Sequence, residues 1–331
     1  KIYDTRLNLR LSVTLFNKKI MGYILIFAIA VMTGLAVGKI YVDNLEAPST
    51  VSAEESSLRE AEATIKEWVD RAEKREESGE SIDSFTVVQL YNIAEYKLTH
   101  SEDYYSGKFF KLMTGVVNAP MGIKQQMRSE KIYDNGTFLY NKLSPSTSSL
   151  APAICSRVVY DKNSGVIKIN PKGTFDEGAD VITGIFDKNN YDEYTLEEYK
   201  SIFNTEPSTV MPYIISTITC GQNKVGPVTK NADGTYSFSI AIDGDYLALA
   251  ALYYSYEIKF SSGMADPPKW ISLNMNVTID ENFNFVGIDY TEVYKMNVSG
   301  IGMMTVTDEF SDQFFFGEDA PEIGDEIKEV L

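Results

Sequence analysis

One histidine and two cysteines are all that 331 residues offer. That scarcity excludes most Cys/His zinc sites and any histidine-rich metal cluster. A Ser-His-Asp or Cys-His catalytic site would have to be built on His100. That residue sits at the end of a predicted helix, with nothing resembling a nucleophile elbow nearby. Neither a phosphate-cradling P-loop nor a dinucleotide-binding glycine signature occurs. Basic residues are also short, with 30 Lys and Arg against 47 Asp and Glu and a net charge of −17. Phosphate backbones require clustered cations, so a nucleic-acid partner is not expected. No catalytic residue, metal ligand or cofactor is assigned from the sequence. With so many acids, no one pair stands out as the two carboxylates of a glycoside hydrolase.

Apolar residues make up 44% of the chain and aromatics 12%, with 21 Tyr and 17 Phe, enough for one large core. The longest uncharged run is Ile20 to Gly38, 19 residues. As a helix it would reach about 28 Å, close to the thickness of a bilayer core, and Ile40 and Val42 extend it. Residues 1–42 hold six Lys or Arg and one Asp; residues 43–331 hold 24 against 46. This asymmetry predicts a membrane span over 20–42 with the N-terminus cytoplasmic and the bulk of the chain outside. The rival reading is a cleaved signal peptide, with Ala36-Val37-Gly38 as the cleavage site.

Beyond the span, residues 53–77 read as one charged helix with Leu58, Ala61, Ile65, Trp68 and Ala72 on one stripe. Two uses of that stripe are open. It packs onto its own domain, or it pairs two copies through Leu58, Ile65 and Ala72. A second helix is expected over Phe85–Leu98, and a third over Leu196–Asn204, begun by a Thr195/Glu198 capping box. Residues 308–316 read as a short helix, and the acidic segment Glu318–Leu331 as a solvated end.

The rest alternates with period two, as half-buried strands do. Tyr236, Phe238, Ile240 and Ile242 share one face of a strand. Tyr254 and Tyr256 lie on another, within Leu252–Phe260. In Trp270–Ile279, Ile271, Leu273, Met275, Val277 and Ile279 are expected to point to the core. In Val286–Val298 the core face carries Val286, Ile288, Tyr290, Tyr294, Met296 and one acid, Glu292. A buried carboxylate must be paired, hydrogen-bonded or protonated, so Glu292 is singled out. The parity change between Phe285 and Val286 predicts a bulge or a bend. Asn135-Gly136, Asp233-Gly234, Asp280–Asn282 and Asp161–Gly165 supply turns. Cys155 and Cys220 are read either as a disulfide across the outer domain or as two buried thiols.

The order of elements from Phe85 onward is familiar: a helix, long strands either side of Asn135-Gly136, and a late hairpin, PPKWISLNMNVTIDENFNFVGIDYTEVYKMNV. Over residues 84–316 it resembles the lipoprotein-carrier superfamily (LolA/LolB, LppX/LprG and the RseB N-terminal domain). The resemblance implies a curved, open antiparallel sheet, a half-barrel whose concave face is covered by helices, with acyl chains between. No functional residue of that family is carried over.

The expected class is therefore α+β, mostly antiparallel β. The segments are a basic tail (1–19), a membrane helix (20–42), a linker and charged helix (43–83), a β-rich outer domain (84–316) and an acidic tail (317–331). The expected function is binding of a lipid-like ligand in a cavity lined from Tyr236, Phe238, Tyr254, Tyr256, Ile271, Leu273, Met275, Tyr290, Glu292 and Tyr294. A surface sensor module acting through the charged helix is the second reading, and an envelope hydrolase with paired acids the third.

Overall fold

In the computed structural model the described residues are 63–100, 107–147, 153–203, 206–207, 225–243, 269–298 and 302–331. The apolar segment 20–42, Leu58, Tyr254, Tyr256 and Cys220 lie outside them. No helix among the described residues is long and apolar enough to cross a membrane.

Helix α1 covers 63–73 and is followed after one turn by α2 (Arg75–Ser78), closed by Gly79 at φ 69°. Helix α3 is Val87–His100. It starts at a reciprocal cap, in which the Thr86 N–H donates to Gln89 Oε1 at 2.9 Å and the Gln89 N–H to Thr86 Oγ1 at 3.3 Å. At its other end His100 stacks on Tyr96, ring centroids 3.9 Å apart, and its Nδ1 lies 3.0 Å from the Tyr96 carbonyl.

Among the described residues eleven strands then form one antiparallel sheet. In chain order they are β1 (Lys108–Ala119), β2 (Ile123–Asp134), β3 (Thr137–Ser144), β4 (Ile154–Asp161), β5 (Val166–Asn170), β8 (Asp192–Thr195), β9 (Thr229–Lys230), β10 (Tyr236–Asp243), β11 (Lys269–Ile279), β12 (Phe285–Val298) and β13 (Gly302–Phe316). A separate pair is β6 (Thr174–Phe175) with β7 (Gly184–Ile185). Helix α4 (Leu196–Phe203) follows β8, and α5 (Asp325–Lys328) is near the end of the chain. The spatial order is β8-β5-β4-β3-β2-β1-β13-β12-β11-β10-β9. The last long strand, β13, thus closes the gap between the first hairpins and the late hairpin. The sheet is open and uncurled, without the curvature a half-barrel requires.

Turn chemistry sets the hairpins as the sequence predicts. Asn135 and Gly136 both have positive φ (49° and 89°), the conformation of a tight two-residue hairpin turn. At Asp161–Gly165 the Asp161 carboxylate caps the N–H groups of Asn163 and Ser164, so this segment is the β4–β5 turn. Thr195 and Glu198 cap α4 reciprocally, at 2.8 and 3.2 Å.

One face of the sheet, the inner face, carries the core. Phe238, Ile240, Leu273, Met275, Val277, Phe109, Phe138 and Ile167 are buried there, in one cluster with Leu90, Tyr91, Ile93 and Ala94 of α3. Each such side chain contributes about 1.5–3 kcal/mol when fully buried. Ile65, Val69 and Ala72 of α1 belong to the same cluster. The α1 stripe is therefore spent on its own domain. Pairing of two copies through Ile65 and Ala72 is not supported, because those side chains are already covered.

Four local expectations change. Ile271 is 38% exposed rather than inward. The pairing of β11 with β12 skips from Trp270↔Tyr294 to Ser272↔Val293, so Ile271 is a bulge residue and leaves the core row. The second register shift in that pair, between Thr278 and Ile279, leaves Val286 unpaired and 39% exposed. This is the bulge expected from the parity change, and it takes Val286 itself off the inner face. Residues 308–316 are not a helix but the second half of β13. The acidic C-terminal segment is not a solvated end: Ala320, Ile323 and Ile327 are buried, the last two against Leu139 and Val159. The Ile323 N–H donates to Asp134 Oδ2 at 3.1 Å.

Candidate functional site

Alternation puts three acids on the inner face. Glu292 of β12 lies directly opposite Asp308 of β13, and Ile288 lies opposite Asp312. Glu292, Asp308 and Asp312 are only 3%, 6% and 4% exposed. Around them the same face presents Tyr290, Tyr294, Phe310, Phe314 and Met113, and α3 lies above with Tyr91 and Glu95. Gly115 of β1 makes room for Phe310, since a Cβ there would collide with the Phe310 ring and the Glu309 carbonyl.

The polar groups are arranged unequally. Lys111 forms an ion pair with Asp312 Oδ2 at 2.6 Å. The Tyr294 hydroxyl donates to Asp308 Oδ2 at 3.0 Å. The Tyr91 hydroxyl donates to Glu95 Oε1 at 3.2 Å. The second oxygens, Asp308 Oδ1 and Asp312 Oδ1, are buried and have no hydrogen-bond partner among the described residues. A buried acceptor left unmet costs about 1–3 kcal/mol, and more when it is charged.

Burial pushes the Asp308 carboxyl up to about 7, although the Tyr294 hydrogen bond favours its charged form. Burial also raises Asp312, opposed by Lys111. Tyr91 is held well above the usual phenol range, first by burial and then by the negative potential of Glu95, Asp312 and Glu292. The site is thus a set of acids in an aromatic surround with too few donors. Asp312 Oδ1 can take a hydrogen bond from a hydroxyl or an amine, and Asp308 Oδ1 can do so once its carboxyl is ionised.

Of the residues singled out from the sequence, Tyr236, Phe238, Leu273, Met275, Glu292 and Tyr294 are buried and Tyr290 is half-buried, all on the inner face. Ile271 is not with them. Among the described residues two grooves open on the opposite, outer face. Sequence reasoning found Glu292 but missed Asp308 and Asp312. The signal was there: Val306, Asp308, Phe310, Asp312 and Phe314 alternate strictly with Thr307, Glu309, Ser311 and Gln313. Two acids in core positions hid the period. Cys155 is a buried free thiol that donates to the Thr174 carbonyl at 3.3 Å, and burial raises its pKa to about 11.

No family model and no curated protein matches the chain. Among solved structures it bears a weak resemblance to a LolA superfamily protein from Nitrosomonas europaea, at 8% identity and a TM-score of 0.21 over 73% of this chain and 97% of that one. It is also similar, at 8% identity and a TM-score of 0.14, to a porin-like protein from Bacteroides uniformis, over 61% of this chain and 95% of that one. At TM-scores this low neither likeness defines the fold.

Proposed function

We propose that this chain is a membrane-anchored, extracytoplasmic binding protein that holds an amphiphilic, lipid-like ligand against the inner face of its sheet. The carrying observation is the pair of buried acceptors without a hydrogen-bond partner among the described residues, Asp308 Oδ1 and Asp312 Oδ1, on a face where aromatic and aliphatic side chains surround them beside Lys111. A ligand with an apolar body matches the surround, and a hydroxyl or amine head supplies the missing donors. Glu292, opposite Asp308, lies where the same head would approach. In this reading α3 and the sheet separate to admit the apolar body. The apolar run 20–42 anchors the chain, with the N-terminus cytoplasmic, and the protein acts by binding rather than by catalysis.

The test is competition for a fluorescent lipid probe by three amphiphiles of equal chain length, a fatty alcohol, a fatty amine and a fatty acid. The full-length protein is expected to take up the probe and release it to the alcohol and the amine. The acid should compete about tenfold less well, as a lost charge-assisted hydrogen bond at an acidic site would require. Failure to take up the probe, or equal competition by all three heads, would contradict the proposal.

A further inference from the structure

The outer face of the same sheet divides in two. Over β3 and β4 it is covered. The β6–β7 hairpin packs over Cys155 and Leu143, so closely that a Cβ on Gly173 or Gly184 would collide with them or with Phe186. The C-terminal segment covers Leu139 and Val159. A polar seam bounds this half, running from Arg128 through Glu130 and Asn141 to Arg157, whose guanidinium lies 4.0 Å from the centre of the Phe186 ring. From β1 to β10 nothing among the described residues covers the face, and two overlapping grooves of about 630 and 770 Å³ open there.

The floor of these grooves is set by strand register. Ser239, Asn276, Asp289, Ser311 and Thr114 are successive cross-strand partners from β10 to β1. Four strand spacings give this row a length of about 19 Å. A parallel row two residues along carries Asn274, Thr291 and Glu309. Beyond the β10 edge, residues 225–227 form a wall, pinned by the Gly226 N–H donating to the Ser239 carbonyl at 2.9 Å. At one end Phe315 lines the second groove and stacks on Phe110, ring centroids 5.5 Å apart. No lysine or arginine lines either groove.

We propose that this uncovered half of the outer face is a platform for a neutral glycan chain. The chemistry selects that class. Amides and hydroxyls offer both donors and acceptors, and Asp289 and Glu309 add acceptors, as adjacent sugar hydroxyls require. The strand spacing is close to the length of one pyranose unit, so successive sugars meet equivalent groups in each row. The Phe110–Phe315 pair offers a ring face for the apolar side of a sugar. The absence of cations turns away phosphates and nucleic acid. A solvated face with no such role would ordinarily mix charges of both signs; the grooves are lined by acids and neutral polar groups without a cation. The platform is independent of the inner-face ligand.

The experiment is calorimetric titration of the full chain, held in phosphatidylcholine nanodiscs to avoid sugar-headed detergents. The probes are cellohexaose, maltohexaose, N-acetylchitohexaose and the cationic chitosan hexamer. At least one neutral hexamer should bind with a Kd below about 1 mM. That affinity should hold between about 50 and 500 mM salt, because no ion pair carries it. The double variant Asn276→Ala/Asp289→Ala should weaken binding about tenfold or more. Ser311→Arg, which places a long cation in mid-row, should do the same, while Asp192→Ala on β8 should not. These residues are on the wet face, so thermal unfolding is expected to be unchanged and serves as the control. The proposal is overturned if no neutral hexamer saturates. It is overturned equally if only the chitosan hexamer binds and salt releases it, or if both groove variants bind as the parent does.

Discussion

The two faces of this sheet are built from the same strands and differ by one residue of register, yet they carry opposite chemistry. On β13, Val306, Asp308, Phe310, Asp312 and Phe314 point inward, while Thr307, Glu309, Ser311, Gln313 and Phe315 point outward. Both faces hold acids. Glu309 is exposed to water, while burial raises Asp308 to about 7. The difference teaches that a carboxylate's meaning lies in its surround. An exposed acid among amides and hydroxyls is one more acceptor for a polar ligand. A buried acid among aromatic rings is an unmet demand for a donor.

The first way to break this comparison is to truncate the core. Leu273→Ala, at 1% exposure, should cost about 2–5 kcal/mol in chemical unfolding. Asn274→Ala, its exposed neighbour in sequence, should stay within about 0.5 kcal/mol. Equal effects would mean that the faces are wrongly assigned.

The second sharpens the comparison through pH. The folded state keeps a proton on Asp308 up to about pH 7, while an unfolded aspartate releases its proton near 3.9. Stability from this group is therefore greatest below about pH 4 and is lost as pH rises toward 7. Asp308→Asn should remove that slope. At pH 8 the variant should be more stable than the parent, by on the order of 4 kcal/mol if burial alone acts, with little difference at pH 4. A parent protein whose stability is flat across this window would contradict the raised carboxyl.

A third test is aimed at the covered half of the outer face. Ile327→Ala removes a side chain 4% exposed against Leu139 and Val159, and should cost about 2–4 kcal/mol in thermal or chemical unfolding. A solvated tail would show no change. The smallest expected effect is at the helix caps. Thr86→Ala and Thr195→Ala should each cost about 1 kcal/mol, measured by the same unfolding titrations.

Much of this architecture was legible where local signals agreed. The alternation of Tyr236, Phe238, Ile240 and Ile242, the Asn135-Gly136 turn, the Thr195/Glu198 cap and the Val286 bulge were all readable from spacing and turn chemistry. The misses share a cause: residues whose local appearance is overruled by tertiary partners. Asp308 and Asp312 look like surface acids, so residues 308–316 read as a helix, and only pairing with β1 and β12 makes them a strand. Ile271 follows the alternation in sequence but falls on a bulge that its partner strand defines. The terminal acids suggest a solvated end, although Ile323 and Ile327 are enough to dock it. Of the site, Glu292 was visible as one acid among apolar neighbours. Its partners across the strand were not, because register is a property of pairs.

The most direct test of the account is native mass spectrometry of the full-length protein, extracted gently and without delipidation. It would be run for the parent and for Asp308→Asn/Asp312→Asn. The parent is expected to carry a lipid-sized adduct, which the double variant loses while remaining folded. A parent that flies only at its own mass, or an adduct indifferent to both aspartates, would contradict the claim that the inner face is a ligand site.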